Sequence, residues 1–264
     1  MANQLIQKAG ALFLLFLVST GCERPLYFAG PESQPFSRLE RAGDIQLQGA
    51  MIQSSESLQG YQAAAELAVT RYLALRGSII RGGDDFSPGR EFGRFGAHHL
   101  GVGAFYPLSN IPLKGSSWIG YSEGQVSNYN NRVINYVDEI YERISVHNSY
   151  ERWFVEQQLR YALHGIEIFG VAQMGSTRVF NLSQQGDPSP GSKFENSVNW
   201  QMQNPRVIYA SWGLGVSAGT QNLRVHFRAD SWIGQATQQF SADGITFYSA
   251  GLSWRIETAR IWGR

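Results

Sequence analysis

The chain has 264 residues but a single cysteine, Cys22, so no internal disulfide can hold its fold together. Excess charge is missing as well. There are 22 Lys and Arg against 21 Asp and Glu, a formal net of +1, which leaves no electrostatic footprint for a nucleic-acid partner. Long apolar runs are absent: the stretch Ala9 to Val18 is the best of them and falls short of the ~20 residues a helix needs to cross a bilayer. The mean hydropathy of −0.25 also excludes a helical membrane protein. No cofactor motif and no metal-ligand spacing occurs, so neither a cofactor nor a metal is expected. His98 and His99 are neighbours, and on a strand they would point to opposite faces.

The first 21 residues read as an export signal. Lys8 carries the positive charge, Ala9 to Val18 forms a short apolar core, and Ser19, Thr20 and Gly21 are small. Cys22 follows directly, which resembles a bacterial lipoprotein processing site and implies acylation of Cys22. Ser19 stands where Leu is usual in that pattern. Residues 22–42, with Pro25, Pro31 and Pro35 and no sustained apolar period, read as a tether.

From Gly43 onward the dominant signal is a period of two, the mark of β-strands whose side chains alternate between faces. Ten strands are expected and no amphipathic helix. In the second, Tyr61, Ala63, Ala65 and Leu67 oppose Gln62 and Glu66. In the ninth, Leu223, Val225, Phe227 and Ala229 oppose Arg224, His226, Arg228 and Asp230. The runs near 116–126 and 166–175 are ambiguous in face. Each run is about ten residues, the length a tilted strand needs to cross hydrocarbon. Connections alternate in length. Tight ones fall near Arg71, His164 and Gly219, and a moderate one spans Ser109 to Lys114. Long ones span Gly82 to Gly96, Ser127 to Glu151, Ser176 to Asn204 and Ile233 to Gly244, with Ser54 to Leu58 the exception. Short turns on one side and long loops on the other are the habit of outer-membrane barrels.

The last strand, Tyr248 to Ile256, places Tyr248 and Trp254 at the two ends of an apolar face. Its Ser249, Gly251, Trp254 and Ile256 resemble the C-terminal signal that outer-membrane barrels present to their insertion machinery. The lipobox-like Cys22, the tether ending near RAGDIQLQGAMI, the AVTRYLALRGSI hairpin and the AHHLGVGAFYPL strand together resemble small, porin-like outer-membrane β-barrel lipoproteins of the Bacteroidota type. That resemblance implies a barrel and an envelope address, and no chemistry.

The expected fold is therefore all-β: an antiparallel up-and-down transmembrane barrel of about ten strands over residues 43–264. Its partners would be outer-membrane lipid and the insertion machinery, with no loop-binding partner identified. If apolar faces meet lipid, Glu66, Arg76, His99, Glu156, Arg160, Arg224, His226, Arg228, Asp230 and Arg255 point inward. Buried charges must pair or be hydrated. A barrel of this size is narrow enough for side chains to fill. The expectation is thus a charged plug, with a narrow Arg-lined pore as the alternative. Catalysis is not expected. Asp84, Asp85, His98, His99, His147, Asp230 and Ser231 near the outer rim form no recognisable motif, and His226 with Asp230 is the pair a hydrolase or protease would use. A soluble periplasmic lipoprotein barrel carrying a lipophilic ligand would reverse the two faces.

Overall fold

The computed structural model describes residues 28–29, 35–54, 58–83, 91–107, 112–135, 140–163, 165–186, 193–233 and 246–257. The signal, Cys22 and most of the tether lie outside them. Ten strands form one closed antiparallel barrel: β1 (Asp44–Ser54), β2 (Gln59–Ala68), β3 (Leu73–Gly83), β4 (Glu91–Pro107), β5 (Leu113–Asn135), β6 (Ile140–Leu163), β7 (Ile166–Gln185), β8 (Arg206–Gly219), β9 (Leu223–Ile233) and β10 (Thr246–Glu257). Every strand pairs with its sequence neighbours. The ring closes where β1 meets β10, in register from Asp44 opposite Glu257 to Ser54 opposite Phe247. Closure matters because an open edge would leave unpaired backbone groups in lipid.

Two of the tight connections share one chemistry. Thr70 Oγ1 accepts the backbone N–H groups of Tyr72 and Leu73 between β2 and β3, and Thr220 Oγ1 accepts that of Leu223 between β8 and β9. A threonine hydroxyl thus replaces the backbone acceptor that each reversal takes away. Between β6 and β7 the chain turns on Gly165, whose φ of 82° is one that glycine adopts without steric cost.

On the outside, Leu214, Leu252 and Trp254 are exposed by 58%, 54% and 52%, while Arg224 and Arg228, on the inside, are exposed by 8%. The faces are therefore apolar-out and ionic-in, as a transmembrane barrel requires. The arrangement needed by a soluble carrier, with these residues reversed, is not present. Outward aromatics mark both margins of the belt, with Tyr161 and Trp254 near the short turns and Tyr61, Tyr121, Trp153, Trp212 and Tyr248 higher up. Leu100, Val102, Ile119, Val155, Leu159 and Val216 fill the band between. Just above the upper aromatics, outward polar contacts appear, with His98 Nε2 3.9 Å from Glu123 and an ion pair of Arg178 with Glu151 at 3.3 Å. Aromatic girdles backed by charge are what an interface of hydrocarbon and headgroups selects.

Two expectations need correction. The segment read as a long loop from Ser127 to Glu151 is largely strand: β5 and β6 run 23 and 24 residues and are joined only by 136–139. Part of the segment before β8 is a helix, α1 (Lys193–Gln203). The reason is a reversal of phase. Within the belt, strands are apolar outward and polar inward. Above it, Ile52, Ile80, Phe95, Val126, Ile144, Val146, Val207 and Phe247 are buried inside, while Arg81, Arg94, Ser145, His147 and Arg206 face out. Once lipid is replaced by water the same pleat carries the opposite pattern, so a search for one phase sees the strand end.

Candidate functional site: the filled lumen

The two ambiguous strands resolve simply. β5 turns Ser116, Trp118, Gly120 and Ser122 inward, and β7 turns Glu167, Phe169, Val171 and Gln173 inward. Both carried apolar residues on each face, which hid the parity. The inward aromatics are seated against glycine. A Cβ on Gly103 would collide with the Trp118 ring, and one on Gly215 would collide with the Phe169 ring.

The barrel is occupied by its own amino-terminal segment. Near the short-turn end, Ser37 N–H donates to Gln158 Oε1 at 2.9 Å, and Gln158 Nε2 donates back to the Pro35 carbonyl at 2.9 Å. Gln46 makes the same two-way grip on the other side, accepting from Arg38 N–H at 2.7 Å and donating to the Phe36 carbonyl at 2.5 Å. Phe36 stacks on Phe169 with ring centroids 3.9 Å apart. Leu39 packs with Ala68, Ala74, Phe105 and Trp118. At the other end of the lumen, Asn148 Nδ2 donates to the Phe28 carbonyl at 2.7 Å, and Phe28 and Ala29 are buried in an apolar cluster with Ile52, Leu58, Val146, Val198 of α1, Trp232 and Phe247. Every backbone group bonded in this way replaces a bond the segment would otherwise make to water.

Charge pairing follows the same layers. At the short-turn end Arg38 Nε meets Glu167 at 3.1 Å, Arg160 and Arg224 approach Glu167 at 3.7 and 3.8 Å, and Arg255 reaches Glu40 at 3.1 Å and Glu257 at 2.7 Å. Lys114 also hydrogen-bonds Glu40. Burial by itself would raise the Glu40 carboxyl, but Lys114, Arg160 and Arg255 outweigh it and hold the group down at about 2. In the middle, Arg76 bridges Glu66 at 2.7 Å and Glu156 at 2.8 Å, and its guanidinium lies 3.8 Å from the centre of the Trp118 ring. Higher up, Arg152 is ringed by Tyr150, Tyr209 and Trp232 at 5.4, 4.9 and 4.8 Å and donates to Thr177 Oγ1 at 2.9 Å.

All ten residues read as lumen-facing are buried. The structure brings Glu66, Arg76 and Glu156 together, and gathers Arg160, Arg224 and Arg255 around the acids of the short-turn end. It does not join His226 to Asp230: Asp230 accepts from Arg228 Nε at 2.6 Å, and His226 contacts Gln48 at 3.2 Å. His99 is buried inside, while His98 is outside, and His147 meets Ser127 on the outer face. Asp84 and Asp85 lie outside the described residues. Among the described residues no group of three metal-ligating side chains exists. Ser249 and Gly251 lie opposite Ile52 and Ala50 of β1, and Trp254 and Ile256 opposite Leu47 and Ile45, so the expected insertion signal is also the closing seam.

No family model matches the chain, and no curated protein matches it. Among solved structures it is similar to a major outer membrane protein from Thermus thermophilus (12% identity, TM-score 0.41, 82% of this chain and 100% of that one). It is also similar to the translocator domain of the autotransporter NalP from Neisseria meningitidis (11%, 0.41, 81% and 88%) and to the N-terminal β-barrel domain of Pseudomonas aeruginosa OprF (8%, 0.31, 81% and 98%). The assignment of this chain as a membrane barrel stands on its own belt and closure.

Sequence reading missed Arg38, Glu40, Arg152 and Glu167. Arg152 shares the parity of Glu156 and Arg160 and was findable by extending that face by two positions. Glu167 was hidden by the mixed faces of β7. Arg38 and Glu40 sit in a segment with no period at all.

Proposed function

We propose that the protein is an outer-membrane barrel lipoprotein of the small porin-like kind, with a structural role and a lumen closed at rest. The observation that carries this reading is the seating of Pro35–Glu40 between Gln46 and Gln158, with Arg38 on Glu167. Barrels of about this size leave little interior space beyond their side chains, and here a segment of the same chain takes part of it. One cavity at the short-turn end, of about 170 Å³, lies between this segment and the wall at Phe105, Tyr106 and Lys114. The belt and girdles support residence in lipid. The lipobox-like pattern at Cys22 supports the anchor, and Ser249, Gly251, Trp254 and Ile256 support recognition by the insertion machinery.

Planar-bilayer recording of purified protein tests the closure. The intact barrel is expected to show no steady conductance, and deletion of residues 28–40 is expected to give stepwise openings. Large, steady conductance from the intact protein would defeat the closed-lumen reading. Labelled palmitate incorporation, lost in Cys22→Ser, tests the anchor separately.

A further inference from the structure

The cavity at the short-turn end has two unlike halves. Its apolar half is made by two phenyl rings and a leucine, Phe36 and Leu39 from the plug and Phe105 from the wall. All three are buried, with Phe36 stacked on Phe169 and Leu39 and Phe105 clustered with Trp118. At about 170 Å³ the space is that of one ring-sized molecule, since an apolar cavity of ~150 Å³ takes benzene.

Its polar half is unbalanced. Three cations line the cavity, Arg71, Lys114 and Arg160, against a single carboxylate, Glu40. Glu40 is already divided among Lys114, Arg160 at 3.2 Å and Arg255 at 3.1 Å. Arg160 is buried, yet its Nη1 makes no hydrogen bond, and the acid it faces, Glu167, stands 3.7 Å away. Among the described residues no acid pairs with Arg71, whose guanidinium lies 4.6 Å from the centre of the Tyr72 ring. Lys114 is half-exposed, so the cationic half is the one that meets water.

We propose that this cavity binds a small aromatic monocarboxylate, its ring among Phe36, Leu39 and Phe105 and its anion toward Lys114 and Arg71. Guanidinium and ammonium groups select a carboxylate, and a ring packed against two phenyls gains more than its area alone provides. The seat has plug on one side and wall on the other, so it exists only while the plug is in place. By mass action an occupant favours that state and latches the plug. The latching rests on the closed-lumen reading, whereas the binding requires only the cavity.

Phenylacetate is titrated by calorimetry into the purified barrel in detergent, with empty micelles as reference, alongside acetate and phenylacetamide. Phenylacetate is expected to bind saturably at one site per barrel. Acetate, which lacks the ring, and phenylacetamide, which lacks the charge, are expected to bind about tenfold more weakly or worse. Arg71→Gln should weaken phenylacetate binding, and adding Lys114→Gln should bring the loss to about tenfold or more, with the heat-induced gel shift showing that the barrel stays folded. Absence of saturable phenylacetate binding to wild type overturns the site. Equal binding of phenylacetamide, or wild-type affinity in the double variant, overturns the cationic half of the argument and the proposal with it. Should the double variant lose its gel shift, Arg71→Gln alone decides, and unchanged affinity there overturns the proposal. None of these readouts uses conductance, so an open lumen and an unfilled cavity are separate failures.

Discussion

Arg76 on β3 bonds Glu156 on β6 at 2.8 Å although two strands, β4 and β5, stand between them in the wall. The contact is made across the interior rather than along the wall, so the side chains of β3 and β6 meet inside the barrel.

That pair, with Glu66, is expected to behave as a unit. Arg76→Met leaves two buried carboxylates without their cation and should cost about 3–5 kcal/mol in guanidinium unfolding followed in detergent. Replacing all three with apolar residues (Arg76→Met, Glu66→Leu, Glu156→Met) should recover most of the loss, because no charge is then stranded. A single variant as stable as wild type would show that the cluster is hydrated rather than dry.

Loosening the plug should be visible without deleting it. Arg38→Ala removes the bond to Glu167, and Gln158→Ala removes the grip on Pro35 and Ser37. The double variant is expected to flicker between closed and conducting states in planar bilayers, with openings at least tenfold more frequent than in wild type. Silence would mean that the segment is held by the upper apolar cluster instead.

Acid should release the same end. Glu40 protonates near 2 when folded, against about 4.5 for a free carboxyl. A folded pKa below the unfolded one gives a contribution that is whole above about 4.5, fades as pH falls, and is gone below about 2. The loss of thermal stability of wild type over this window should be steeper than that of Glu40→Gln, measured by the heat-induced gel shift. Parallel profiles would remove Glu40 from the account.

The belt makes a prediction of opposite sense from that of a soluble barrel. Leu214 lies five residues above the end of β8, near mid-belt. Leu214→Arg should destabilise the barrel in lipid by about 2–4 kcal/mol. On a water-exposed strand the same change would be close to neutral. Reversible unfolding in lipid vesicles distinguishes the two.

How much of this was readable beforehand depends on where a residue sits. Leu223 to Asp230 crosses lipid with one face oily and one ionic, and its parity could be read directly. Ile144 and Val146 belong to strands as regular, but they stand above lipid, where the apolar side is the inner one, so the run looked like a loop. Val198 on α1 faces the same inner cluster from a helix with a weak apolar stripe. The plug was least legible. Phe28, Phe36, Arg38 and Leu39 show no repeat because the segment touches a different layer of wall at each step, and only the closed barrel supplies those layers.

The turn at Arg41–Asp44 joins the plug directly to β1. There Asp44 accepts the N–H groups of Glu40 and Arg41 at 3.0 Å, and Gly43 N–H donates to the Ala68 carbonyl at 2.7 Å. The plug is thus a rope spliced into the hoop that encircles it. At this end the plug is covalently continuous with the wall and cannot leave the barrel without β1. Tension on the amino end would load the plug's bonds to Gln46, Gln158 and Glu167 first, and only after these gave way would it reach the splice and pull on the hoop itself.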